Sequence, residues 1–182
     1  MTDEQELFEA AILFTDMRGS SEIATSTSTH EFFRILNASL SEQTRIVRAH
    51  KGQVLKYTGD GLMAVFRGAD RHRCVLQCAC ELAEPAAQGA TPFGVGVSDG
   101  RVIAGMVGDA AGDGQLRRYD VIGATVHLAS RLCSMAEAAE VVATRHIADA
   151  SGLHLPIRDA GLQQVRGFAG AIDCVSIAHD AP

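Results

Sequence analysis

The sequence predicts an α+β fold: a ferredoxin-like βαββαβ core with an antiparallel sheet, extended by C-terminal α/β elements. Three observations predict it. Short apolar runs and helical stripes follow one another in the order β-α-β-β-α-β. Glycine-bearing polar turns join strands in pairs. The 182 residues are 47% apolar with only four prolines, enough to build a core and about the size of a single domain over 1–182.

The first strand is the apolar run 10–14, which ends in Thr15-Asp16. A helix follows over 30–50, with Phe32, Leu36, Leu40 and Val47 on one stripe. Lys51-Gly52 stops it. Strands over 53–57 and 62–66 are joined by Thr58-Gly59-Asp60-Gly61, whose glycines tolerate positive φ. A second helix runs over 69–87, with Val75, Cys78, Ala79 and Leu82 inward.

The runs 93–97 and 102–107 read as a second hairpin turning at Ser98-Asp99-Gly100-Arg101. The Gly-rich stretch 108–116 reads as a loop. A strand over 119–122 passes through Gly123 into a helix ending near Met135. Strands are then expected over 140–144, 155–157, 161–165 and 172–177.

The formal charge of −6 argues against a general nucleic-acid or anionic-membrane binder, whose footprint is basic. It leaves room for a small anionic substrate held by a few placed cations. No stretch reaches the ~20 apolar residues of a membrane span. The acidic start, Met1-Thr2-Asp3-Glu4, lacks the basic-then-apolar order of a secretory signal. A cytoplasmic location is the expectation. The five cysteines lack zinc-finger spacing and read as small core residues in a reducing compartment.

Asp16 ends the first strand and Asp60 sits in the first hairpin. In the ferredoxin-like order those strands are neighbours, so two hard anionic ligands meet at one sheet edge. Such a pair suits an oxygen-ligated divalent cation. The competing readings are a turn residue for Asp60 and a helix cap for Asp16.

Three blocks then carry a resemblance: Phe14-Thr15-Asp16-Met17-Arg18-Gly19-Ser20-Ser21, Lys56-Tyr57-Thr58-Gly59-Asp60-Gly61, and Tyr119-Asp120-Val121-Ile122-Gly123 through Arg131. In this order and spacing they resemble the signature blocks of class III adenylyl and guanylyl cyclase catalytic domains, over residues 8–178. The resemblance implies two metal ions, Mg2+ or Mn2+, on Asp16 and Asp60, with the Met17 carbonyl as a further ligand. It sets Gly19, Ser20 and Ser21 beside a triphosphate, where backbone N–H groups at a helix start favour anions.

Lys56 and Asp120 match the family positions that read the base. Lysine is donor-only and ionised aspartate acceptor-only, so the pair complements adenine rather than guanine. Guanylyl cyclases carry Glu and Cys there. Taken outside the family, Lys56 reads as an edge-strand lysine and Asp120 as a helix-start acid. Arg131 matches the transition-state arginine, since a guanidinium fork suits developing phosphoryl charge. His127, one helical turn earlier, stands where active members carry asparagine, which implies reduced or pH-sensitive turnover. Arg166 matches a lysine that contacts the triphosphate.

The resemblance also implies a homodimer with shared active sites. Asp16 and Asp60 of one chain would face Lys56, Asp120, His127, Arg131 and Arg166 of the other, with residues 109–117 as an arm on the partner. The expectation is an adenylate cyclase making 3′,5′-cyclic AMP from ATP. The alternatives are a catalytically weak or silent nucleotide-binding module, or a guanylate cyclase. A diguanylate cyclase would show a Gly-Gly-Asp/Glu-Glu-Phe turn in place of Thr58-Gly59-Asp60-Gly61.

Overall fold

The computed structural model describes residues 5–84, 92–108 and 117–178. Eight strands form one sheet in the order β2-β3-β1-β4-β6-β8-β7, with β5 paired to β4 off this path. The strands are β1 Glu6–Met17, β2 Gln53–Tyr57, β3 Leu62–Phe66, β4 Phe93–Val107, β5 Arg118–Ile122, β6 Glu140–Thr144, β7 Ile157–Gln164 and β8 Ala171–Ala178. The helices are α1 Ser20–Ser26, α2 Thr29–Ala49, α3 Arg71–Ala83, α4 Ala124–Met135 and α5 Arg145–Ser151.

The run β2-β3-β1-β4 is antiparallel throughout, as the ferredoxin-like order requires. β6 then adds parallel to β4, and β8 and β7 extend the sheet antiparallel. β1 is buried on both faces in its middle, which explains why 10–14 reads as continuous apolar sequence rather than an alternation.

Helices cover both faces of the sheet. On the first face α2, α3 and α5 enclose Ala11, Leu13, Val95 and Val97 with Val47, Val75, Cys78, Ala79, Leu82 and Ile147. On the second face α4 lies against β4 at Gly96, where a Cβ would stand 2.0 Å from the Cys133 nitrogen and 2.3 Å from the Ala129 oxygen. Only a glycine admits so close a helix.

The expected hairpin at 98–101 does not exist. β4 crosses those residues unbroken, with Ser98, Asp99, Gly100 and Arg101 paired to Ile12, Ala11, Ala10 and Glu9. Their polar character serves tertiary partners instead of a turn. Ser98 donates to the Thr125 carbonyl at 2.6 Å, and Arg71 grips Asp99 at 2.6 and 3.1 Å.

Other boundaries shift as well. α3 ends at Ala83, and 85–91 lie outside the described residues, as do 109–116 of the expected loop and arm. The expected strands at 155–157 and 161–165 are one strand, β7, with an irregularity between Asp159 and Gly161. The short helix α5 was not anticipated as an element, and α1 only as the helix start at Ser20-Ser21 that the resemblance implies. The five cysteines are free, and burial pushes the Cys80 thiol up to about 11 and Cys133 up to about 12. These are unreactive core thiols. Among the described residues no helix is long and apolar enough to cross a membrane.

Candidate active site

Two groups of residues converge at separate places in the chain. The first lies where β1 ends. Asp16 pairs with Gly94 and Met17 with Phe93 at the C-terminal end of β1. The β2–β3 turn is drawn onto this end by Thr15, whose buried hydroxyl accepts from the Leu62 N–H at 2.9 Å and donates to Gln43 Oε1 at 2.5 Å. The Thr58 N–H bonds the Gly61 carbonyl at 2.9 Å, and Gly59 takes φ 87°. Gly61 admits no side chain: a Cβ there would stand 1.8 Å from the Thr15 carbonyl oxygen.

Asp60 is thereby held against Asp16. Burial, offset in part by Arg18, raises the Asp16 carboxyl above its usual range, and the neighbouring charge and hydrogen bonding of Asp60 raise it further. Like charges so placed repel unless a cation or a proton lies between them. Arg18 donates to Asp16 Oδ2 at 2.6 Å and to the Cys133 carbonyl at 2.5 Å. Its guanidinium covers Gly94, where a Cβ would stand 2.1 Å from Nη2. One Asp16 oxygen is thus committed to Arg18, while the carboxylate stays beside Asp60.

An all-oxygen set on a carboxylate pair suits Mg2+ or Mn2+. The Met17 side chain is buried, so only its backbone carbonyl could join the set. Gly19, in the left-handed region at φ 76°, turns the chain into α1, which opens with Ser20 and Ser21.

The second group is a pair of opposite charges. Lys56 Nζ and Asp120 Oδ2 meet at 2.6 Å. In the sheet β2 and β5 are separated by β3, β1 and β4, so the contact requires the sheet to curl over its second face. The apolar cluster of Ile12, Met63, Val65, Val102 and Val121, with Leu55 against it, fills the inside of that curl. Asp120 Oδ1 also accepts from the Val121 N–H at 2.8 Å, which fixes the carboxylate.

His127 and Arg131 share the exposed stripe of α4, opposite the buried Thr125, Ala129, Leu132 and Cys133. Arg166 is exposed beyond β7. None of the three makes a hydrogen bond or ion pair among the described residues, and none joins Asp16 or Asp60 within the chain. Sequence reasoning missed Arg18 as a positioning residue. The sequence offers only a weak signal, a cation two residues after a carboxylate on a strand end; that Gly94 stands opposite the carboxylate is visible only in the fold.

The match to a family model decides what these groups belong to. Residues 2–176 match the adenylate and guanylate cyclase catalytic domain. The chain belongs to this family.

Its solved relatives share the fold over almost its full length. The cyclase domain superposes on the adenylyl cyclase CyaB from P. aeruginosa with a TM-score of 0.85 at 22% identity, covering 98% of this chain and 97% of that one. The guanylyl cyclase Cya2 gives 0.82 at 21% identity, covering 97% and 94%. The catalytic core of a rhodopsin-guanylyl cyclase with converted specificity, in complex with ATPalphaS, gives 0.84 at 22%, covering 98% and 99%. Adenylyl and guanylyl members are equally similar in fold.

By sequence, an uncharacterized protein of Mycobacterium tuberculosis is 33% identical over 133 residues, 70% of this chain and 23% of the relative. A second is 32% identical over 133 residues, 70% of this chain and 24% of the relative. The cyclase domain therefore spans about a quarter of the length of the curated relatives it matches.

Proposed function

We propose that this cyclase domain is an adenylate cyclase, converting ATP to 3′,5′-cyclic AMP and pyrophosphate at sites shared across a homodimer. The observation that carries the choice of base is the Lys56–Asp120 pair. A donor-only and an acceptor-only group stand side by side, 2.6 Å apart, as the N1 acceptor and C6 amine of adenine stand side by side. Guanine presents the reverse order and leaves both charges mismatched. An unsatisfied buried polar group costs about 1–3 kcal/mol, and ~1.4 kcal/mol is already tenfold in selectivity.

The reaction is intramolecular: the ribose 3′-oxygen attacks the α-phosphorus, and pyrophosphate leaves in line. Positioning and charge stabilisation suffice, with no covalent intermediate on the protein. Cations on Asp16, Asp60 and the Met17 carbonyl would supply charge neutralisation at the attacking and leaving oxygens. Arg18 holds Asp16 in place. Arg131 presents a free guanidinium fork to the phosphorus-bound oxygens, and His127 donates a hydrogen bond to ribose or phosphate from the same stripe. Arg166, with Gly19, Ser20 and Ser21, binds the triphosphate.

Two features support sharing between subunits. Arg131, His127 and Arg166 have no intrachain partner at Asp16 and Asp60 among the described residues. Beside Asp120, the β4–β5 pair also leaves Met106, Val107, Tyr119 and Ile122 exposed, an apolar surface suited to a second copy.

Cyclic AMP formation from ATP with Mg2+ or Mn2+, in competition with GTP, tests the substrate. Preferential use of GTP overturns the assignment. Sharing is tested by mixing Asp16→Ala chains with Lys56→Ala chains. Each hybrid dimer regains one intact site, so partial activity is expected, and no rescue counts against a shared site.

A further inference from the structure

A second cluster of ligating side chains lies away from the aspartates. His72 is the second residue of α3, His146 the second residue of α5, and Asp99 lies in the middle of β4. One ligand atom from each comes within 4.8 Å of the others, so that a small closing movement would let a single ion touch all three. The two imidazoles meet edge to face, centroids 5.4 Å apart and planes at 80°. Asp99 shares the sheet face of Val95 and Val97 under α3 and α5, whereas Gly96 and Ser98 face α4. In register, Asp99 is opposite Ala11 while Gly94 is opposite Asp16, five residues away or about 17 Å along the strand. This cluster is not part of the aspartate pair.

Its internal bonding is incomplete. Arg71 donates to both Asp99 oxygens, at 2.6 and 3.1 Å, and so fixes the carboxylate. His72 Nε2 is 3.1 Å from Asp99 Oδ2, yet it is buried and makes no aligned hydrogen bond. A buried ring nitrogen this near a carboxylate oxygen, with no well-aligned bond of its own, is available to an ion that both groups touch. His146 is exposed and closes the third side. Two imidazoles and a carboxylate with an open fourth position favour Zn2+ or a similar borderline ion over Mg2+, which demands oxygen ligands. Arg71 takes the outer position that orients a metal-bound carboxylate.

We infer that His72, Asp99 and His146 form a binding site for one zinc-class divalent ion, which ties the first turns of α3 and α5 to β4. The site is independent of the adenylate cyclase assignment, because it uses none of the residues proposed to bind nucleotide or Mg2+.

The test uses the full chain carrying Asp16→Asn and Asp60→Asn, so that the aspartate pair contributes nothing. Zn2+ is titrated in competition with a chromophoric chelator, and thermal unfolding is followed in parallel. One ion per chain and a raised Tm are expected. Adding His146→Ala, a change on the exposed side of the cluster, is expected to weaken binding at least tenfold and abolish the Tm gain. His72→Gln gives the same loss. No uptake overturns the proposal, as does uptake that His146→Ala leaves unchanged.

Discussion

Gly61 lies so close to Thr15 that a single added methyl would sit 1.8 Å from the Thr15 carbonyl oxygen. The obstacle is backbone, not a side chain that can swing aside. This contact brings the Asp60 turn onto the end of β1.

Gly61→Ala should therefore lift the turn from β1. We expect a loss of about 1–3 kcal/mol in urea unfolding, with cyclase activity reduced far more than the remaining folded fraction explains. Stability and activity both at wild-type levels would refute the role given to the contact.

Asp16 should cost stability while it serves the site. Its carboxyl is raised from the ordinary 3.8, chiefly by burial and then by Asp60 after the opposing pull of Arg18. A raised folded value means the native state binds more protons. The metal-free chain then gains stability as pH falls through that raised value, and loses it as pH rises. Asp16→Asn should raise the metal-free Tm slightly at neutral pH, flatten that pH dependence and abolish turnover. Mg2+ should stabilise the parent chain and not the variant. Thermal melts with and without Mg2+ check this.

Exchanging the base pair of charges should exchange the base. Lys56→Glu combined with Asp120→Cys is expected to lower the ATP-to-GTP ratio of kcat/KM at least tenfold, equivalent to ~1.4 kcal/mol of discrimination. An unchanged ratio would remove Lys56 and Asp120 from substrate selection.

His127→Asn restores the residue usual at this position in active relatives. Turnover should rise, because asparagine offers a smaller hydrogen-bond donor from the same place on the helix. Unchanged kcat and KM would make His127 a bystander on α4.

Much of this was legible in the sequence because the informative residues act locally. The apolar run before Asp16, the Gly-Asp-Gly turn and the i, i+4 stripe of His127 and Arg131 each sit within one element. What escaped depends on partners far along the chain. Ser98-Asp99-Gly100-Arg101 has turn composition, but Thr125, Arg71 and the unbroken pairing with β1 keep it extended. Arg18 is one cation among sixteen until the fold sets it over Gly94. The His72–Asp99–His146 cluster joins three positions spread over 75 residues (146 − 72 + 1), with no local spacing to announce it.

The Lys56–Asp120 contact also bears on how the empty protein waits. Under the proposed reading, the two groups neutralise each other before any nucleotide arrives, so neither a bare ammonium nor a bare carboxylate meets stray ions. An incoming ring would have to offer both complementary atoms at once to replace what it disrupts. Selectivity would then be enforced at entry, by the self-sufficiency of the resting state, as well as by the fit of the occupied one.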